Sequence, residues 1–169
     1  MAVISTPPPP LSSVIELLGL EPLEPEGGFF KRTYLSSEEH AFWMGMRSLL
    51  SSIYYLVTPE SYSLLHKLHS DEVYHFYCGD PLLLHEVDSK GAYHVTTLGL
   101  DLMSGQRPQA VVRAGSWQCS KQKRSEVGYT LLGTTVAPGF DFLDFTLLTR
   151  AEFDRWPDDL HERLSEFVK

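Results

Sequence analysis

His66-Lys67-Leu68-His69-Ser70-Asp71-Glu72-Val73-Tyr74-His75-Phe76-Tyr77-Cys78-Gly79 sets the reading of this chain. An apolar segment closes on an imidazole, a short polar connection follows at His69-Ser70-Asp71, and an aromatic segment returns to the turn Gly79-Asp80-Pro81. Turn chemistry between apolar runs predicts a β-hairpin. Side chains alternate along a strand with period two, so Glu72, Tyr74 and Phe76 share one face, and the hairpin can aim His66 and Glu72 at one point. Such a pair can hold a divalent metal or act as an acid/base couple with shifted pKa values. A hydrogen-bonded structural histidine beside a turn glutamate satisfies the same spacing.

Working outward, segments 29–34, 52–57, 63–66, 72–78, 82–87, 93–98, 110–112, 117–119, 128–136 and 144–148 read as short strands separated by turn residues. Strands at this spacing without interleaved long helices predict an all-β sandwich or barrel. Four consecutive prolines make residues 1–10 a mobile tail, and the domain is expected to run over residues 13–169 after a flexible stretch of 1–12. Ser12 or Ser13 is expected to cap a short helix over 14–18 closed by Gly19. A second helix is expected over 154–169, with Pro157 near its start and Leu160, Leu164 and Phe167 on one face.

At 169 residues, 43% hydrophobic and 21% charged, the chain is large enough for one core without metal or disulfide staples. Its net charge of −8 argues against tracking a phosphate backbone, and the single basic run, Lys121-Gln122-Lys123-Arg124, reads as a solvated loop. No nucleic acid or membrane partner is expected. Cys78 and Cys119 have no C-x-x-C spacing, and with no signal peptide or long apolar run they read as reduced thiols of a cytoplasmic protein. A cross-barrel Cys78–Cys119 disulfide stays open as a less favoured alternative.

The order of strands around His66, Glu72 and Gly79, followed about forty residues later by Val112-Arg113-Ala114-Gly115-Ser116-Trp117-Gln118, resembles the two-motif cupin barrel. Pro25-Glu26-Gly27-Gly28, Ser70 to Pro81, Gly105-Gln106-Arg107-Pro108-Gln109 and Val136-Ala137-Pro138-Gly139-Phe140 more narrowly resemble the cupin-5 family, DUF985. The resemblance implies a double-stranded β-helix, the cupin jelly-roll barrel, with short flanking helices. The general first motif has two ligating histidines and a glutamate. His66 and Glu72 fit it, but Leu68 stands where the second histidine belongs, and Gln118 replaces the histidine of the second motif. If a metal binds, its ligands are His66, Glu72 and Gln118, with His69 a substitute only if the turn begins there. A leucine cannot ligate and an amide binds weakly, so a divalent metal is not favoured and no cofactor is assigned.

Without a metal, the site resembles the cupin sugar epimerases, in which a histidine base and a tyrosine acid act on a carbonyl-activated carbon. That reading makes His66, Glu72 and Tyr129 the catalytic candidates, with Tyr55, Tyr74, Trp117, Gln118 and Arg47 contacting substrate. The expected function is isomerase- or epimerase-like chemistry on a small polar metabolite. A non-catalytic ligand-binding protein and a metal-dependent oxygenase or lyase are the alternatives. Arg107 and Arg113 are further anion anchors, and residues 102–109 form a loop able to cover the barrel mouth. The apolar run Ala41-Phe42-Trp43-Met44-Gly45-Met46 is expected to pair the protein as a homodimer or to pack on its own barrel.

Overall fold

Burial alternates along the aromatic strand as its pattern requires, with Glu72 and Tyr74 turned inward between less buried neighbours. A computed structural model of the chain describes residues 8–123 and 126–169, which leaves most of the expected tail and Arg124 of the basic run outside the described residues. The N-terminal part comprises β1 (Glu21–Pro22), β2 (Phe29–Leu35), the hairpin β3 (Glu39–Phe42) and β4 (Gly45–Ser48), and β5 (Ser51–Val57). Next come β6 (Ser63–Leu68), β7 (Asp71–Gly79), β8 (Leu82–Val87) and β9 (Tyr93–Leu98). The last strands are β10 (Gln109–Val112), β11 (Trp117–Gln122), β12 (Thr130–Ala137) and β13 (Phe145–Leu147).

One sheet has the order β1-β2-β5-β12-β7-β10 and the other β13-β6-β11-β8-β9, all paired antiparallel. From β5 to β8 and from β9 to β13 consecutive strands alternate between the sheets, so β6 and β7 do not pair with each other, and the expected β-hairpin around His69 is instead a crossover from one sheet to the other, as a jelly roll requires. The expected double-stranded β-helix is the fold observed. Between the sheets, Tyr55, Val57, Tyr74, Leu84, Val112 and Leu132 form the apolar interior. A second cluster places Leu65, Val87 and Cys119 beneath Phe153, Leu160 and Leu164 on one outer face. A third sets Leu56 and Tyr129 beneath Val14 and Leu20, with Cys78 beside them.

The helices depart from expectation at their ends. The first, α1 (Leu11–Leu18), begins earlier than its serines suggested, with Pro10 at the N-cap and left-handed Gly19 closing it. The C-terminal helix is two pieces, α2 (Arg150–Phe153) and α3 (Asp158–Leu164), with Pro157 at the start of the second. Thr149 and Glu152 form a capping box that starts α2 upstream of the expected boundary. The expected flexible stretch 1–12 also shortens. The Pro9 carbonyl accepts the Tyr129 hydroxyl at 2.9 Å, and the Pro10 carbonyl accepts the Val14 N–H at 3.1 Å. Cys78 and Cys119 belong to separate outer clusters and are free thiols, which overturns the cross-barrel alternative.

Asp80 shows how turn chemistry closes this barrel. It is buried, and its carboxylate accepts the N–H groups of Glu126, Val127 and Gly128 at 2.9–3.0 Å. Hydrogen bonds to a buried charged group are stronger than neutral ones, and removing the acceptor strands several donors at once. Asp80→Ala is expected to lower unfolding free energy by about 3 kcal/mol in urea titration.

Candidate functional site

Period-two alternation on three strands builds the interior site. On β7, Glu72 and Tyr74 face inward opposite Val136 and Thr134 of β12. On β6, His66 lies between the buried Leu64 and Leu68, and Gln118 of β11 is its direct cross-strand partner. Gln118 has its orientation fixed by two contacts. Its Oε1 accepts the Tyr74 hydroxyl at 3.0 Å, and its Nε2 donates to Glu72 Oε2 at 2.8 Å. Tyr74, Gln118 and Glu72 therefore form one hydrogen-bonded chain.

Glu26 completes the cluster from a different part of the sequence. Its Oε1 accepts the Ser63 hydroxyl at 2.8 Å and lies 3.9 Å from His66 Nδ1. The adjoining Gly27 and Gly28 hold φ of 105° and 77°, and a side chain on Gly28 would collide with the Tyr55 ring. Only glycine allows this turn to approach the barrel wall so closely. The Tyr55 hydroxyl closes the contact by donating to the Gly27 carbonyl at 2.9 Å.

The electrostatics follow from burial. Glu72 is only 7% exposed; burial, and next the charge of Glu26, raise its carboxyl pKa above the ordinary glutamate range, against the smaller opposing effects of His66, Thr134 and Gln118. Burial and Glu26 push the Tyr55 phenol well up, and burial and Glu72 do the same to Tyr74, so both phenols keep their protons. His66 Nδ1 lies 2.8 Å from the Leu64 carbonyl, which can only accept, so Nδ1 carries a proton and Nε2 is the nitrogen left for exchange. The ring stacks on Phe145 with centroids 5.3 Å apart.

Above this floor opens a cavity of about 80 Å³. Glu26, Glu72, Thr134 and Ser51 supply its polar lining with Arg32 at the exposed rim, and Leu68 and Val136 are among the aliphatic walls. Phe140, Phe142 and Phe145 form one side, with ring centroids 5.0–6.4 Å apart in edge-to-face packing. Arg47 secures that aromatic segment without entering the cavity. Its guanidinium grips Asp144 through two bonds of 2.6 and 2.9 Å, while Ser51 Oγ accepts the Phe140 N–H at 3.0 Å.

The candidate residues therefore divide. Glu72, Tyr55 and Tyr74 line the cavity, and His66 and Gln118 lie immediately behind it. Among the described residues no hydrogen bond or ion pair joins His66 to Glu72; the histidine's carboxylate neighbour is Glu26. Tyr129 faces the other way, packed beneath α1 with burial and Cys78 pushing its phenol up to about 12, which removes it from the candidate catalytic set. Trp117 sits outside the barrel, 6.0 Å from Trp156 and beneath the Lys67 ammonium. Arg47 is likewise displaced from substrate contact, lining an outer cleft of about 330 Å³ instead. Arg113 pairs with Asp71 at the surface, and Arg107 donates to the Gln106 carbonyl. The 102–109 loop contributes nothing to the cavity lining; Arg32, Phe140 and Phe142 do.

Sequence reasoning missed Glu26, Ser63, Thr134 and Arg32. The signal for Glu26 was its place before two glycines, which mark a turn too tight to point away from the core. The others carried no spacing that distinguishes them from ordinary strand residues.

The donor set does not fit a resident metal. Leu68 lines the cavity where an imidazole would be needed, both ends of the Gln118 amide are engaged, and His69 turns toward Trp43 and Asp144. Among the described residues no three His, Cys, Asp or Glu side chains are grouped to hold one.

A double-stranded β-helix barrel that carries the positions of both sequence motifs, His66 and Glu72 of the first and Gln118 of the second, on its inner wall is the cupin architecture. Residues 12–148 match the model of the Cupin superfamily family DUF985, Cupin_5, and the chain belongs to that family. It is similar to a hypothetical protein from Leishmania major at 29% identity and TM-score 0.87, covering 95% of this chain and 99% of that one. A Shewanella oneidensis protein is similar at 30% identity and TM-score 0.87, covering 96% and 99%. Oxalate decarboxylase from Bacillus subtilis shares the fold at 14% identity and TM-score 0.57, with all of this chain matching 38% of that one. No curated protein matches the chain. No helix among the described residues is long and apolar enough to cross a membrane.

Because the folded-state pKa of Glu72 is raised, the native protein binds a proton more readily than the unfolded chain, and stability falls as pH rises through the folded value. Glu72→Gln is expected to be at least as stable as wild type at pH 7, because it removes the cost of ionising a buried carboxyl. The difference should vanish below the unfolded glutamate pKa, as read by urea unfolding across pH.

Proposed function

We propose that the barrel mouth binds a small metabolite and moves a proton on it, as an isomerase- or epimerase-like cupin. The observation that carries this is the coupled pair of carboxyl groups at the cavity floor: Glu72 is buried and holds its proton above the usual range, partly because Glu26 is beside it. Environments that push two acids apart assign one as proton donor and the other as acceptor. On an α-hydroxy carbonyl group the α-carbon proton passes to the Glu26 carboxylate while the Glu72 carboxyl protonates the carbonyl oxygen, giving an enediol. Glu26 then returns a proton to the former carbonyl carbon while the Glu72 carboxylate takes the proton of the neighbouring hydroxyl, which leaves the carbonyl moved by one carbon and both acids as they began. His66 positions Glu26 and offers Nε2 for proton exchange, while Tyr74 and Gln118 hold Glu72 in place. Tyr55 keeps its proton and braces the Glu26 turn.

A metal-dependent oxygenase or lyase is disfavoured by Leu68 and by the engaged amide of Gln118. A small dianion of the kind the decarboxylase's name indicates would meet the Glu26 carboxylate and the Glu72 carboxyl with no buried cation among the cavity-lining residues.

Mass spectrometry of protein purified without added ligand should identify the bound metabolite, and incubation in D₂O should exchange one of its carbon-bound hydrogens. Glu26→Gln and Glu72→Gln are each expected to slow that exchange by about 100-fold. His40→Ala, at an exposed site paired with Glu38, should leave it unchanged. Normal exchange in both carboxylate variants rejects the proposed chemistry, and binding without exchange in wild type assigns the protein as a ligand binder instead.

The same proposal takes the protein as a homodimer. On the β3–β4 hairpin Phe42 and Met44 are half-buried and the Trp43 ring meets that of His69 of the same barrel at 5.2 Å, yet Trp43 remains 78% and Met46 56% exposed, an apolar surface a second copy would cover. Sedimentation at micromolar concentration is expected to show a dimer that Trp43→Ser weakens, whereas a wild-type monomer would remove the interface.

A further inference from the structure

We infer that the barrel mouth selects a positively charged ligand group, an ammonium of methylammonium to tetramethylammonium size. This rests on reading the cavity as the ligand site and names the charge class that site accepts. The cavity is bounded by Phe30, Tyr55, Tyr74, Phe140, Phe142 and Phe145. Aromatic faces present negative potential, and rings converging on a space of this kind attract cations without hydrogen bonds. Three of the rings pack edge to face and are held by Arg47 and Asp144, so the wall is built in advance of any ligand.

Charge at the floor points the same way. Glu26 and Glu72 both line the cavity, and the lining cation, Arg32, is exposed at the rim rather than buried with them. His66 already donates Nδ1–H to the Leu64 carbonyl, so that proton is not directed at a ligand. An anion entering would face the Glu26 carboxylate and the Glu72 carboxyl oxygens with no buried cation beside them. A neutral apolar group would strip water from the Glu26 carboxylate, whose side-chain donor is the neutral Ser63 hydroxyl, without supplying a counter-charge. An ammonium satisfies both surfaces at once, with its charge toward the carboxylates and its methyl or methylene groups against the rings. The volume of about 80 Å³ limits the occupant to a small head, with any remainder extending past Arg32 into the neighbouring cleft.

The test uses the full chain and ligand-observed NMR with three probes: tetramethylammonium chloride, tert-butanol of similar size, and sodium acetate, all at constant low ionic strength. Tetramethylammonium is expected to bind at least tenfold more tightly than tert-butanol, with acetate not competing. Glu26→Gln combined with Glu72→Gln should weaken tetramethylammonium at least tenfold while changing tert-butanol less than twofold. Phe142→Leu, at the exposed lip, keeps an apolar surface but removes a ring face, and should weaken tetramethylammonium severalfold with tert-butanol again unchanged. Equal binding of tert-butanol and tetramethylammonium to wild type overturns the inference, as does tetramethylammonium binding that ignores both sets of substitutions. Tetramethylammonium undergoes no carbonyl-assisted exchange, so its binding reads charge selection alone. Selective binding without any proton exchange on the purified metabolite would leave this inference standing and reject the proton-moving function. Exchange on a neutral metabolite, with no preference for the cation, would do the reverse.

Discussion

The Gln118 amide, fixed between the Tyr74 hydroxyl and the Glu72 carboxylate, is the contact on which the interior of this barrel depends. Tyr74 and Glu72 are on β7 of one sheet and Gln118 is on β11 of the other, so the chain of hydrogen bonds crosses between the sheets in a buried space. Each member satisfies a polar atom that would otherwise cost about 1–3 kcal/mol to bury. The amide can serve both neighbours in one orientation, and that orientation spends its oxygen on a phenol. A metal ligand at this position would have to be released first. The replacement of imidazoles by Leu68 and Gln118 thus exchanges a metal centre for a polar bridge that orients a carboxylate.

Once Glu72 is buried and oriented, Glu26 gives it a chemical character that neither residue has alone. Buried, and next to the charge of Glu26, Glu72 retains its proton to higher pH than an ordinary glutamate. The α1 helix covers one outer face and the C-terminal helices cover the other, so the interior is free to mix aromatic walls with polar groups. The Arg47–Asp144 pair, distant in sequence, then fixes the Phe140 to Phe145 segment as the rim.

Much of this was legible in the order of residues. Alternation with period two determined that Glu72 and Tyr74 face the same side, and the two motifs determined that His66 and Gln118 belong to facing positions. Leu68 by itself argued against metal chemistry, because an aliphatic side chain has no donor atom whatever its surroundings. These inferences hold because strand periodicity and side-chain chemistry are local properties.

Which side of a strand is the inside is not local, and there only the tertiary structure decided. Tyr129 and Trp117 are aromatic strand or strand-end residues like Tyr55 and Tyr74, yet they pack under the flanking segments, because a jelly roll has apolar surface on the outer faces as well as within. Cys78 and Cys119 fall on separate outer faces for the same reason. Arg47 found a buried carboxylate 97 positions away, a pairing that no spacing encodes. Glu26 entered the site through a turn whose backbone must pass against the Tyr55 ring, and that approach exists only after β5 and β6 are in place. The sequence by itself determined most of the barrel strands, which residues share a face along each, and the absence of an imidazole at two ligand positions, but not the β3–β4 hairpin, whose apolar run carries no alternation. The packing of two sheets and their covering helices determined which carboxylates meet, since proximity across a barrel depends on closure and not on distance along the chain.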